Sequence, residues 1–392
     1  MPVKNIMIPY GRQDINQSDI NAVIAVLQSD FLTQGPAVPL FEKTISHYCG
    51  TQRAVAVNSA TTALHIACLA LELGPGDWLW TSPITFVASS NCALYCGAQV
   101  DFVDIDPLTY NMSVVCLTEK LAQAEKNGKL PKIVVPVHFC GQSCDMEAIH
   151  TLSQKYGFKI IEDASHAIGG KYKNELIGNC RYSDISVFSF HPVKIITSGE
   201  GGMALTNNLL LAERMQLYRS HGITSDASIM KLRPINEIWN YQQIGLGFNY
   251  RMTDIQAALG VSQMNRLGEF VGKRHQIAQH YNNVFADLPL QTPWQDPDSN
   301  SSYHLYPIRI KLGQAKANQR QVYDALLSAD INVNLHYIPV YRQPYYETMG
   351  FKAGYCPEAE EFYREALSIP MYPALTISNQ EKIIRIIHEV LA

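Results

Sequence analysis

The 392-residue sequence has no apolar run long enough to cross a bilayer as a helix, and its N-terminus has no signal-peptide pattern. Both absences point away from a membrane and toward the cytoplasm. Charge of one sign is also lacking. With 31 Lys and Arg against 35 Asp and Glu, the formal net charge is −4, and no run of basic residues offers a footprint for nucleic acid. No Gly-x-Gly-x-x-Gly follows a predicted strand and no Walker loop is present, so nucleotide binding of the dehydrogenase or P-loop type is unsupported. Cysteines number nine, an odd count scattered along the chain. Cys92/Cys96 and Cys140/Cys144 are spaced Cys-x-x-x-Cys, which lacks the tight knuckle of a zinc site. Buried, reduced thiols are the expectation. No internal repeat or low-complexity tract is visible.

What is present is material for a large core: 47% of residues are hydrophobic and 17% charged. Short apolar strands alternate with helical patterns through the first two thirds, which predicts an α/β fold with a mostly parallel sheet. Asn16-Gln-Ser18 caps an amphipathic helix carrying Ile20, Val23, Ile24 and Leu27. Strands are predicted at Ala54–Val57, Val100–Ile105, Lys132–Val137 and Lys159–Asp163, and helices at Thr62–Leu73 and Asp145–Tyr156. The pattern changes after about residue 260. A loop over Gln291–Ser302 precedes a strand (Tyr303–Ile310), a helix (Ala317–Ala329), a second strand (Asn332–Val340) and a last helix opening with the capping box Ser378-Asn-Gln-Glu381. A large domain over 1–260 and a smaller C-terminal α+β domain over 261–392 follow from that change.

Four short segments carry chemistry. Asn58-Ser-Ala-Thr-Thr62 lies between a strand and a helix, where it either cradles a phosphate on free backbone N–H groups or serves as an ordinary cap. Ile161-Glu-Asp-Ala-Ser-His-Ala167 ends a buried strand. Asp163 there pairs with a protonated ring nitrogen or caps the next turn, and His166 is functional or structural. Phe86, in Thr81-Ser-Pro-Ile-Thr-Phe-Val-Ala88, stacks on an aromatic ring or joins the core. Lys194 is a lone cation between two apolar runs, just before a glycine-rich turn, with Ser189 five residues earlier. Its ammonium snorkels to water or is held partly desolvated, and desolvation makes a Schiff-base nucleophile. A phosphate cradle, a ring-nitrogen carboxylate, a stacking aromatic and such a lysine together describe a site for pyridoxal phosphate.

At this point the chain resembles the DegT/DnrJ/StrS sugar-nucleotide aminotransferases, within the aspartate aminotransferase (type I) fold class of PLP-dependent transferases. The motifs are Phe31-Leu-Thr-Gln-Gly-Pro36, Asn58-Ser-Ala-Thr61, Glu162-Asp-Ala-Ser-His-Ala167, Ser189-Phe-His-Pro-Val-Lys194, Gly199-Glu-Gly-Gly202 and Gly247-Phe-Asn-Tyr-Arg-Met-Thr-Asp-Ile-Gln256. The resemblance implies Lys194 as the lysine joined to the cofactor and as catalytic base, Asp163 on the pyridine nitrogen and Phe86 on the ring face. It implies Ala60, Thr61 and Ser189 on the phosphate, and Asn249 supplied by the second subunit of a homodimer with shared active sites. Of these, Ala60, Ser189 and Asn249 border the substrate as well. Ile8-Pro-Tyr-Gly-Arg12, Ser29-Asp-Phe-Leu-Thr33 and Asn334-Leu-His-Tyr-Ile-Pro339 are similar to the branch that serves pseudaminic acid biosynthesis. That likeness implies a substrate site made by Tyr10, Asp30, Phe31, Leu32, Thr33, Asn334, Leu335, His336 and Tyr337. The implied substrate is a UDP-linked 4-keto-6-deoxy-N-acetylhexosamine, aminated at C4 with L-glutamate as donor. Phe31 stands where other forms carry Trp, which leaves the sugar open.

Three rivals are weighed against this expectation. Sugar 3-dehydratases of the same fold carry histidine where Lys194 stands, so transamination is favoured. A regulatory protein that binds the cofactor without turnover would not need the full set of groups. A metal hydrolase built on His138, His166 and His191 finds no compact ligand spacing.

Overall fold

The computed structural model describes residues 7–391 apart from Arg233, Ile235, Ile238 and Trp239. Seven strands form the central sheet: β1 (Arg53–Val57), β2 (Trp78–Thr81), β3 (Gln99–Phe102), β4 (Ile133–Val135), β5 (Lys159–Asp163), β6 (Ile185–Ser189) and β7 (Gly202–Thr206). Their spatial order is β1-β7-β6-β5-β4-β2-β3. Pairing is parallel from β6 through β3, while β7 runs antiparallel between β6 and β1. Val55, Val57, Ile133, Val135, Ile161 and Val187 are fully enclosed, as expected of strands covered by helices on both faces. The parallel α/β expectation from alternating patterns therefore holds.

The carboxyl ends of six of these strands, with the amino end of β7, gather at one edge of the sheet, where open α/β folds place ligands. From β1 the chain turns directly into the helix Ala60–Ala70. Ser59 caps it, with Ser59 Oγ accepting from Thr62 N and Thr62 Oγ1 accepting from Ser59 N, each at 3.2 Å. Strand β7 begins at Gly202, opposite both Val57 and Ser189. A Cβ at Gly202 would stand 2.4 Å from the carbonyl of Ser59 and 2.5 Å from Ala60 N. Only glycine lets the helix start sit so close to the strand.

A second, antiparallel sheet contains β8 (Leu290–Gln291), β9 (Tyr306–Ile310) and β10 (Ala366–Ile369). Helices Gln319–Ser328 and Ile377–Leu391 contribute Val322, Leu326, Ile383 and Ile387 to its core. Ile8 belongs to this core and bridges to Ile331, so the start of the described chain packs with the C-terminal unit. The helix Asp254–Met264 runs across residue 260. Buried Arg274, on the helix Leu267–Val284, donates to the carbonyls of Tyr303, His304 and Met371 at 3.0–3.1 Å. Burial draws its pKa down to about 9, which leaves it charged at neutral pH. Among the described residues no helix is long and apolar enough to cross a membrane.

Three local expectations need correction. Asn332–Val340 is no strand: apart from a bridge from Asn334 to Ser368 it is irregular. Its polar side chains bond locally, Asn334 Oδ1 accepting from Leu335 N at 2.9 Å, and Pro339 can give no ladder N–H. The last helix begins at Ile377, with Thr376 Oγ1 accepting from Asn379 N at 3.2 Å, so Thr376 caps it and Ser378 lies in the first turn. The predicted loop Gln291–Ser302 also contains Ser299–Asn300, which pairs with Lys171–Tyr172.

The N-terminal helix Gln17–Leu27 is tied down by Asp19, which is buried. Burial alone would raise the Asp19 pKa. Hydrogen bonds from Ser262 Oγ (2.6 Å), Asn16 N (3.0 Å) and Gln263 Nε2 (2.8 Å), with the Arg266 charge at 2.6 Å, hold it below the ordinary range. A depressed carboxylate pKa gives stability that is complete above the unfolded value, near 3.9, and is lost as pH falls. Asp19→Asn is expected to cost about 2–3 kcal/mol at neutral pH and to flatten the acid limb of stability in urea titrations.

Candidate active site

A cavity of about 950 Å³ opens at the carboxyl edge of the sheet. Its walls bring together Ala60, Thr61, Phe86, Asp163, Ser189 and Lys194, all six of the cofactor residues expected from one chain. The six arrive from four different strand ends. Ala60 and Thr61 follow β1, Phe86 follows β2, Asp163 ends β5, and Ser189 ends β6 with Lys194 on the turn beyond. The backbone N–H groups of Ala60 and Thr61 are the first two of their helix and have no acceptor among the described residues. Ser189, from the adjoining strand, borders the same space.

Asp163 is buried, and both its oxygens are engaged. Ser165 N donates to Oδ1 at 3.1 Å and Ser89 Oγ to Oδ2 at 2.6 Å. Thr85 Oγ1 lies 2.7 Å from Ser89 Oγ. Phe86 is 59% exposed, and its ring faces that of Tyr337 at 6.4 Å across the cavity mouth. Such exposure of a large aromatic beside a cavity suits contact with a ligand ring rather than a place in the core.

Lys194 Nζ has no hydrogen-bond or ion-pair partner among the described residues. Burial pulls its pKa from 10.5 to about 8, while the charge of Asp163 opposes that shift. Three histidines stand around it. His166 and His304, with ring centroids 4.4 Å apart, are held well below the usual histidine range by burial and by the Lys194 charge. His336 is lowered to about 3 for the same reasons. All three are neutral at pH 7, so Lys194 carries the positive charge among these four groups.

The expected substrate segments separate into two groups. Tyr10, Asn334, Leu335, His336 and Tyr337 line the cavity. Tyr10 and His336 rings are 5.3 Å apart, and His336 Nδ1 meets Ser368 Oγ at 2.9 Å. Asp30, Phe31, Leu32 and Thr33 instead lie exposed on the surface, outside this chain's own cavity. They are held by the start of the helix Asp254–Met264, where Asp254 N donates to Leu32 O at 3.0 Å. Asn249 also lies outside the lining, and only its backbone carbonyl approaches Asn58 Nδ2, at 3.5 Å. Sequence reasoning passed over Ser89, His304 and Gly202 as individual site residues. Ser89 lies four residues after Thr85, at the start of the helix Ala88–Tyr95 where serine is ordinary, and His304 sits in an otherwise ordinary strand approach.

The residues fit pyridoxal phosphate by their own chemistry. Two N–H groups with no acceptor among the described residues, and a hydroxyl, suit an anion; a glycine keeps that cradle open, and an amine with no partner among the described residues lies within the field of a fixed carboxylate. A metal finds no comparable arrangement: no three His, Cys, Asp or Glu side chains converge suitably among the described residues. His138 is engaged instead with Glu162, Nε2 to Oε2 at 2.7 Å, while its Nδ1 accepts from Cys144 N at 3.1 Å. None of the nine cysteines is in a disulfide, and seven are buried.

Comparison with known proteins agrees. Residues 13–388 match the model of the DegT/DnrJ/EryC1/StrS aminotransferase family. The UDP-4-amino-4,6-dideoxy-N-acetyl-beta-L-altrosamine transaminase of Campylobacter jejuni is 36% identical over 374 residues, 95% of this chain and 94% of that one. Helicobacter pylori PseC, an aminotransferase of pseudaminic acid biosynthesis, superposes with a TM-score of 0.88 at 30% identity, over 98% of this chain and 99% of that one. Spr1654 from Streptococcus pneumoniae, classed as a sugar aminotransferase and solved in PLP and PMP forms, reaches TM-scores of 0.87 and 0.88 at 27% identity, covering 98% of this chain and at least 98% of each. The chain belongs to the DegT/DnrJ/EryC1/StrS aminotransferase family and is a pyridoxal phosphate-dependent sugar-nucleotide aminotransferase.

Proposed function

We propose that the protein transfers an amino group from L-glutamate to C4 of a UDP-linked 4-keto-6-deoxy-N-acetylhexosamine, giving the 4-amino altrosamine-type sugar of pseudaminic acid biosynthesis in the cytoplasm. The observation that carries this reading is the presence of Lys194 in one cavity with Tyr10 and Asn334–Tyr337. The names of the Campylobacter and Helicobacter relatives support the sugar.

Pyridoxal phosphate, when bound, supplies an electron sink for the carbon that loses its proton. Ala60 and Thr61 N–H groups and the Ser189 hydroxyl bind its phosphate. Asp163 holds the ring nitrogen protonated, and Phe86 covers one ring face. Lys194 moves the protons, taking one from the α-carbon of glutamate and delivering one to C4 of the sugar. A base working near neutral pH needs a pKa near the working value, which burial gives this amine. Asp30–Thr33 and Asn249, which lie outside the cavity of their own chain, complete the cavity of a second subunit in a homodimer. Exposure of Phe31 (53%) and Leu32 (49%) supports their placement against a partner or its substrate.

Adding L-glutamate to PLP-loaded protein is expected to bleach the visible absorbance and release 2-oxoglutarate, and the 4-keto sugar to restore the band. Absence of bleaching with any amino acid would overturn transamination. Recovery only with a different keto sugar would overturn the sugar assignment. Lys194→Ala is expected to lower turnover about 10²–10⁴-fold while the protein stays folded.

Lys194 also carries a stability cost. Its folded pKa of about 8 lies below the ordinary 10.5, so the folded state disfavours the charge. The cost is complete below pH 8 and disappears as pH rises to 10.5. Cofactor-free Lys194→Met is therefore expected to be more stable than the parent by about 1–3 kcal/mol at pH 7. Denaturant melts should show this gain shrinking at alkaline pH.

A further inference from the structure

We propose that Thr85 and Ser89 form a hydroxyl relay that holds Asp163 in place, making both positioning residues for the reaction. This rests on the reading of Asp163 as the partner of the cofactor's ring nitrogen. All three side chains are buried, and the two links are 2.7 Å (Thr85 to Ser89) and 2.6 Å (Ser89 to Asp163). Chemistry sets the direction of the hydrogen bonds. A carboxylate only accepts, so the single proton of Ser89 goes to Asp163 Oδ2. The Ser89 oxygen is then free to accept the proton of Thr85, and the order becomes Thr85 to Ser89 to Asp163.

The relay has a competitor within its own helix. Serine in the first turns of a helix readily donates back to a carbonyl one turn earlier. The Thr85 hydroxyl and the Asp163 carboxylate together hold Ser89 Oγ in the other orientation. Each link polarises the next in a site shielded from water, which strengthens the bond to the carboxylate. The second oxygen of Asp163 is fixed from another element, by Ser165 N at 3.1 Å. The carboxylate is thus held from two sides, by the helix that follows β2 and by the loop that follows β5. Its rotation is fixed before any ligand enters.

The test compares Ser89→Ala, Ser89→Thr, Thr85→Val and Asp163→Asn in the full-length protein. The readouts are thermal unfolding, the dissociation constant for pyridoxal phosphate, the visible circular dichroism of the bound cofactor, and kcat and KM for L-glutamate. Ser89→Ala is expected to weaken cofactor binding about ten- to a hundredfold, reduce the dichroism and lower kcat more than it changes KM. Ser89→Thr keeps the hydroxyl and should stay within about threefold of the parent. Thr85→Val replaces a hydroxyl by a methyl and should give a smaller loss in the same direction, which keeps the test open if Ser89→Ala does not fold. Parent-like binding and dichroism in Ser89→Ala or Thr85→Val, with both lost in Asp163→Asn, would overturn the relay. A silent Asp163→Asn would overturn the reading of Asp163, and the relay's role with it.

Discussion

The site depends on one close approach, where β7 passes the first turn of the helix Ala60–Ala70 without a side chain at Gly202. Ser189 pairs with Gly202 across β6 and β7, and Lys194 lies on the turn that joins those two strands. The separation of helix start, serine and lysine is therefore set by backbone packing rather than by flexible side chains. A methyl group at that position would push against main-chain atoms, which have nowhere to move in a close-packed sheet.

The antiparallel course of β7 explains why this arrangement was hard to foresee in outline. Alternating strand and helix patterns correctly announced a parallel sheet, and motif resemblance announced the fold class. Neither hydrophobic period distinguishes a strand running up from one running down, since β7 reads as another buried apolar run. Lys194 was legible because an isolated charge in apolar surroundings breaks the local pattern, and Asp163 because it ends a buried apolar strand, where α/β sheets place ligands. Ser89 and His304 were not, because a serine at a helix start and a histidine ahead of a strand have many ordinary uses. Asn332–Val340 misled for the opposite reason. Its alternation of apolar and polar residues has the period of a strand, but its polar side chains satisfy the backbone locally or line the cavity.

Electrostatics around the lysine follow a single rule, the scarcity of water. Burial lowers the lysine and all three neighbouring histidines together, yet their ordinary values differ enough that only the lysine is charged at neutral pH. Four nitrogen bases can crowd one cavity without mutual repulsion on those terms. The imidazoles then act as neutral hydrogen-bonding walls beside an amine poised to change its protonation.

Arg274 gives the molecule a mechanical property. One guanidinium grips carbonyls that lead into β9 and out of β10, and the Met371 amide next to one of them is bonded to Tyr10 O at 3.0 Å. Pulling the helix Leu267–Val284 away from these strands would strip three acceptors from a charged donor already removed from water. The same helix sets Leu267 and Phe270 in one core with Phe188 and Leu205 of the central sheet, and Ile277 and Tyr281 in the core of the second sheet. It is a strut shared by both, and Arg274 is the rivet on its C-terminal side.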